Sequence, residues 1–263
     1  MSPPTATALM DQPHLRAQHE RAPTNHVLQA LVTEAAATVP ALRGHMVPTA
    51  NVRPWYGEPA LEAVYRFWMT RHAEAGPHHA ALQGWGHLVW QPIYLAVIAA
   101  HFAEAQVWLD RVALTVQDGS IDGYRIGEHQ PTQDDEAGRL HFGAAQLSEG
   151  IARLLPAWQV HAPVHPKAAR RTCADCVLAA LLAVARRRSW PHARTQATGL
   201  QWLQAMGLAG ESSFLAYRKA NGTPALALTR KVCCLHFKCR DGQRCTTCPQ
   251  RPLDDRLARL KEM

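Results

Sequence analysis

Apolar positions along the chain recur mostly at helical spacing. Val27, Leu28, Leu31 and Val32 fall at i, i+3, i+4 intervals and predict a short amphipathic helix that ends before Pro40. Arg43 to Pro59 holds three prolines and Gly57 and reads as a loop. Leu61, Val64, Tyr65, Trp68 and Met69 mark a second helix, stopped by Gly76 and Pro77. A new unit starts at Gly84, and Leu88 to Leu109 is the most apolar part of the protein. Pro92 is placed to open a long helix there at its first turn. Apolar almost all round, that helix is the expected buried centre.

The period then changes. Val112, Leu114 and Val116 alternate, Asp118-Gly119 supplies a turn, and Tyr124 and Ile126 start a return strand, which together predict a small hairpin. Ala137 to Leu155 is helical again, closed by Pro156, and Cys173 to Arg187 is an amphipathic helix whose basic end suits a helix C-terminus. Trp202, Leu203 and Met206 lie on a further helix ending at Gly207. Phe214, Leu215 and Tyr217 read as a short turn before Asn221-Gly222, and Ala225 to Val232 as a strand leading into a cysteine-rich stretch. The expected fold class is α+β, a mostly helical body with a small β-hairpin and a cysteine-rich C-terminal segment. Three parts follow from this: a flexible N-terminal arm over 1–24 with Pro3, Pro4, Pro13 and Pro23, a helical domain over 25–222, and a C-terminal segment over 223–263.

With 47% hydrophobic and 19% charged residues, the chain can bury a core and is not of the disordered class. A formal charge of +7 points to acidic partners, whether nucleic acid, a membrane surface or an anionic small molecule. The N-terminal stretch lacks the basic and apolar regions of a signal peptide. The longest apolar run, Ile93 to Ala100, falls short of the roughly 20 residues a membrane span needs. The chain is expected to be cytoplasmic, where thiols stay reduced and clustered cysteines bind metal more often than they form disulfides.

Five of the seven cysteines fall between Arg230 and Pro249. Cys233, Cys234, Cys245 and Cys248 form a C-C-x10-C-x2-C pattern, with Cys239 inside the spacer. Such a thiolate quartet reads as a zinc or iron–sulfur site. In Cys245-x-x-Cys248 a tight turn can place both sulfurs on one metal, with backbone N–H groups donating to them. Adjacent side chains of an extended strand point to opposite faces, so Cys233 and Cys234 reach one site only if the backbone leaves the strand there. Structural zinc normally takes spaced pairs at both ends, so the vicinal pair favours a larger cluster with two irons.

This stretch, with Arg230 three residues ahead, Leu235 and Phe237 just behind and Pro249 at its end, resembles the C-terminal signature of FhuF-like siderophore ferric reductases. The resemblance covers about 20 residues closely and the remainder in outline. It implies a [2Fe-2S] cluster held by Cys233, Cys234, Cys245 and Cys248, on a cytoplasmic iron–sulfur oxidoreductase that reduces Fe(III) in ferric siderophores to Fe(II). The 25–222 part would then be the siderophore-reductase domain and 223–263 the cluster-binding segment. No catalytic residue beyond the cluster ligands is required, because the step is a single electron transfer. No glycine-rich dinucleotide fingerprint follows a strand, so electrons are expected from an external donor, a ferredoxin-type protein or an NAD(P)H-dependent reductase. The partners are thus a ferric siderophore and that donor, with no nucleic acid and with room for peripheral contact at the inner membrane.

Two rival readings stand beside it. One is a basic zinc-binding module, structural or nucleic-acid-binding, that uses the same four cysteines. The other is a siderophore-binding protein without redox activity. Elsewhere, Cys173-x-x-Cys176 lacks the βαβ context of a redox motif, and its place at a helix start would lower its thiol pKa values. Trp55, Trp85, Trp90 and His87 are candidates for a chelate pocket. His78, His79 and His101 hint faintly at metal binding, and Pro163 separates His161 from His165. Lys238, Arg240 and Arg244 put positive charge beside the cysteines, Cys239 reads as a bystander thiol, and Arg186 to Arg188 reads as a solvated helix end.

Overall fold

The computed structural model describes residues 25–57 and 60–263, so the expected N-terminal arm lies outside the described residues. Seven α-helices and seven strands are present among them: α1 His26–Thr38, β1 Gly44–Val47, α2 Leu61–Arg71, α3 Pro77–Phe102, β2 Ala105–Gln106, β3 Val112–Gln117, β4 Ser120–Gly127, β5 Thr132–Gln133, α4 Glu136–His161, α5 Pro166–Arg187, α6 His192–Ala205, β6 Ser213–Arg218, β7 Pro224–Thr229 and α7 Leu253–Lys261. The α+β class holds. Of the helices, α3 is the axis, packed against α1, α2, α4 and α5.

The centre of the molecule is where the apolar run predicts it, but the helix is longer and starts earlier. Pro77 is the proline at its first turn, after Gly76 at φ 80°, and Pro92 sits in the interior instead of opening it. An internal proline removes one backbone hydrogen bond and costs about 3 kcal/mol. Burying Leu88, Val89, Ile93, Leu95, Val97 and Ile98 completely offsets this, at about 1.5–3 kcal/mol for each side chain. Pro156 is likewise carried inside α4, which reaches His161 because Trp158 beyond it is fully buried. The indole N–H groups satisfy the helix interfaces: Trp158 Nε1 donates to the Ala81 carbonyl at 3.3 Å and Trp85 Nε1 to the Ala169 carbonyl at 3.1 Å.

A polar chain crosses the core between α3, α4 and α6. Trp202 Nε1 donates to His101 Nε2 at 3.0 Å, His101 Nδ1 donates to Glu136 at 2.7 Å, and Arg194 closes on Glu136 at 3.0 Å. Accepting at Nε2 and donating at Nδ1 defines a neutral imidazole, and burial lowers the His101 pKa in the same sense. His101 is therefore a satisfied core histidine.

The predicted hairpin is β3–β4, with a register shift between Thr115 and Val116. It gains a third strand that periodicity does not reveal. Instead of remaining a loop, Gly44–Val47 pairs in parallel with Tyr124–Gly127, a pairing fixed by tertiary contact and too short to show an alternation. The stretch read as a turn around Phe214 is also a strand, β6, paired antiparallel with β7 from Ser213↔Thr229 to Arg218↔Pro224. The α5 helix begins at Pro166, so Cys173 and Cys176 lie in its middle. Its basic end is exposed yet tied down: Arg187 pairs with Glu34 at 3.0 Å and Arg188 lies 4.4 Å over the Phe102 ring.

Close packing of α4 against the loop after β1 depends on Gly150. A Cβ there would stand 2.3 Å from the Trp55 ring and 2.9 Å from Tyr56. Gly150→Ala is expected to destabilise the fold by about 1–3 kcal/mol through overpacking, read as a lowered denaturant midpoint with an unchanged slope.

Candidate metal centre

Beyond Thr229 the chain leaves β7 and turns back on itself. Leu235, directly after the vicinal cysteines, has φ 60° in the left-handed region. That conformation costs an ordinary residue about 1–2 kcal/mol, and it is offset by what the reversal satisfies. Leu235 N–H donates to Cys233 Sγ at 3.4 Å, and the His236 N–H donates to the Cys234 sulfur. The backbone does what two adjacent ligands require: it departs from the strand where they stand.

The spacer then folds tightly. Gly242 N–H donates to the Cys239 carbonyl at 2.8 Å, and a Cβ at Gly242 would lie 2.0 Å from the His236 carbonyl oxygen, so only glycine fits. This compaction returns Cys245 and Cys248 to the first pair. Cys233 Sγ lies 3.6 Å from Cys248 Sγ, close to the about 3.8 Å edge of a tetrahedral metal–thiolate site with bonds of about 2.3 Å. Interaction with the Cys245 side chain holds Cys234 down at about 5, and the same coupling holds Cys245 above its ordinary value. The four cysteines are thus gathered at one place, with the Cys233 sulfur against that of Cys248 and Cys234 coupled to Cys245. This donor set fits a thiolate-bound cluster.

Arg251 clamps the second turn. Its guanidinium donates to the Arg244 carbonyl at 2.7 Å and the Cys245 carbonyl at 3.1 Å, and pairs with Asp255 at 2.7 Å on α7. The body grips the first turn. Arg230 Nε donates to Asp175 Oδ2 at 3.0 Å, its Nη1 lies 3.7 Å from Cys245 Sγ, and Ser212 Oγ donates to Asp175 Oδ1 at 2.7 Å. Burial holds the Asp175 carboxyl above its ordinary value, against the pull of Arg230 and Ser212. Asp175 raises the Arg230 pKa in turn, against the desolvation of its guanidinium. Further ties are Arg171 to the Lys231 carbonyl at 3.0 Å and Gln83 to the Cys234 carbonyl at 3.4 Å.

A cavity of about 250 Å³ opens beside this segment, lined in part by Trp90, His87, Thr172, Cys176, Arg230 and Cys234. Of the four candidate pocket residues, Trp90 and His87 are therefore there. Trp55 and Trp85 are instead core side chains. Cys173 and Cys176 do not have lowered pKa values. Cys173 is buried and Cys176 half-buried in mid-helix, and burial pushes Cys176 up to about 12 and Cys173 further in the same direction. In the Cys173–Cys176 motif the residue that matters to the centre is Asp175. His78 bonds the Pro163 carbonyl at 3.2 Å and His165 caps α5 through Lys167 N–H at 3.1 Å. Arg244 covers the Phe237 ring at 5.2 Å and Arg240 donates its N–H to Glu74 at 3.0 Å.

Asp175→Asn would leave the Arg230 guanidinium without its counter-charge in a mostly buried place. A loss of about 3–5 kcal/mol is expected in denaturant unfolding, with most of it recovered in the double variant Asp175→Asn, Arg230→Met. A loss under about 1 kcal/mol would show a pair that behaves like a solvated surface bridge.

Comparison with known families adds one match and one absence. No solved structure matches the chain. The family model described as the FhuF 2Fe-2S C-terminal domain matches residues 230–250, the span that contains both sulfur pairs and Arg230. The cofactor it names, a [2Fe-2S] cluster, agrees with the four-sulfur donor set. Over these residues the chain is similar to the FhuF 2Fe-2S C-terminal domain, consistent with an FhuF-like family.

Proposed function

We propose that the protein reduces Fe(III) in ferric siderophores to Fe(II), using a cluster held by Cys233, Cys234, Cys245 and Cys248. The approach of the Cys233 and Cys248 sulfurs and the coupling of Cys234 to Cys245 support these four as the residues that would hold it. The observation that carries the reading is that Cys234 belongs at once to the sulfur quartet and to the wall of the Trp90–His87 cavity. A chelate seated there meets a ligand of the centre with no intervening side chain.

The bound cluster supplies one electron at a time. Hard-oxygen chelates hold Fe(III) far more tightly than Fe(II), so one electron per iron frees the metal and no protein acid or base is needed. The electron comes from an external ferredoxin-type protein or NAD(P)H-dependent reductase. Trp90 and the half-buried His87 offer flat apolar surface to a bulky chelate. Arg230 offsets negative charge on the Cys234 and Cys245 sulfurs, which makes an added electron easier to hold. Exposed Lys238, Arg240 and Arg244 favour the approach of an anionic chelate or an acidic donor. Among the described residues no helix is long and apolar enough to cross a membrane.

Anaerobically purified protein is expected to be red-brown and to bleach with dithionite. Cys234→Ser and Cys248→Ser abolish the chromophore, whereas Cys239→Ser, Cys173→Ser and Cys176→Ser retain it. Mixed with a ferric hydroxamate and a ferrous-specific dye, the reduced protein recovers its colour as one Fe(II) forms per electron. A colourless protein with one stoichiometric zinc would overturn the reading. Trp90→Ala is expected to raise KM for the chelate up to about tenfold with the visible spectrum unchanged, the range of an aromatic contact.

A further inference from the structure

Cys239 is not an isolated thiol. Its Sγ lies 3.5 Å from His79 Nε2 and 3.5 Å from His236 Nδ1. In a tetrahedral site with metal–sulfur bonds of about 2.3 Å and metal–nitrogen bonds of about 2.0–2.1 Å, sulfur and nitrogen are separated by about 3.5 Å. Both measured separations equal that edge, and the three donor atoms all lie within 4.8 Å of one another. Donor atoms of His72 and Glu74 lie within 4.8 Å of the same sulfur. The three imidazoles of His72, His79 and His236 have ring centroids 5.5 to 6.0 Å apart.

A metal-free reading accounts poorly for this group. His79 is fully buried, its Nδ1 has no hydrogen-bond partner among the described residues, and its Nε2 lies against the sulfur. Like donors crowd one thiol, with Glu74 already engaged by the Arg240 N–H at 3.0 Å. The donors also come from three separate places in the chain: the turn after α2, the first turn of α3, and the spacer between the two sulfur pairs.

We propose that Cys239, His79 and His236 form a second metal site for a divalent first-row transition ion, zinc or ferrous iron, with His72 and Glu74 as the nearest further donors at its fourth position. Imidazole and thiolate are the ligand types that such borderline cations prefer. Three protein ligands with an open fourth position make a site from which the ion can exchange. His236 joins the two centres, since its N–H donates to the Cys234 sulfur and its Nδ1 faces Cys239. In the reduction proposed above, the ion set free beside this residue is Fe(II), and the second site is where it would be received; that assignment of occupant, unlike the site itself, rests on the proposed reduction.

The test uses the full-length holoprotein, dialysed against zinc and then metal-free buffer, with zinc and iron counted by mass spectrometry. One zinc per chain is expected beyond the cluster iron, and X-ray absorption at the zinc edge should show one sulfur with nitrogen neighbours. His79→Ala, Cys239→Ser and the exposed His236→Ala should each lower zinc binding at least tenfold with iron content and visible spectrum unchanged. His236→Ala keeps the test valid should the buried variants not fold. Wild-type protein that retains no zinc, or zinc that survives in His236→Ala and Cys239→Ser, overturns the site. Zinc lost only in Cys245→Ser, in a protein without iron, would overturn the cluster reading as well. For the occupant, anaerobic ⁵⁷Fe(II) should give a high-spin ferrous Mössbauer doublet in wild type that is missing in His236→Ala; an equal doublet in both would overturn ferrous iron as the ion received.

Discussion

The buried pair between Asp175 and Arg230 is the contact on which the arrangement of the sulfur segment depends. Asp175 sits buried in the middle of α5, where an unpaired carboxylate is strongly disfavoured. Arg230 is the first residue of the matched segment and reaches both the carboxylate and the Cys245 sulfur. A single guanidinium therefore neutralises the body on one side and the thiolates on the other. Buried ion pairs seldom add much net stability, but they are costly to break, which makes them good at fixing one geometry. Ser212 occupies the remaining carboxylate oxygen, so the network is closed on the Asp175 side.

Around that pair the segment is held more by side chain-to-carbonyl bonds than by apolar burial. Arg171, Gln83, Lys231 and Arg251 all act this way. Guanidinium groups suit the task because their planar fork can serve two acceptors at once. The result is a stretch with almost no regular secondary structure that is nonetheless fixed relative to α3 and α5. Its sulfurs stay near the surface: Cys245 is exposed, while Cys248 behind it is buried.

The sequence announces local features well and partnerships poorly. The hairpin of β3 and β4, the central apolar helix and the cysteine spacing are all written in short-range pattern. Pro92 and Pro156 mislead because a proline's cost is local, whereas the packing that outweighs it comes from other helices. β1 and β6 go unseen for a related reason: four or six residues of strand acquire their identity from the strand beside them. The vicinal cysteines correctly demand a break from the strand, and the left-handed Leu235 supplies it. Asp175 escapes notice because two cysteines flank it and draw attention to themselves. Cys239 escapes for another reason: His236 stands three residues before it, but His79 is near it only in space. Even α7 carries signals that go unused, with Pro252 before its start, Asp254 and Asp255 in its first turn and Arg259 and Lys261 in its last.

The closed network around Asp175 also bears on the order in which the molecule can be assembled. Residues 166 to 212 leave the ribosome before Arg230 does, so the Asp175 carboxyl is made with Ser212 and the Arg171 charge in place but without its ion-pair partner. Until Arg230 arrives, burial favours the neutral acid with less to oppose it, and the guanidinium then pulls the equilibrium toward the ionised pair as the segment docks. Docking of the sulfur-bearing turn thus favours charge formation, at a carboxylate and a serine that are synthesised before the cysteines of that turn.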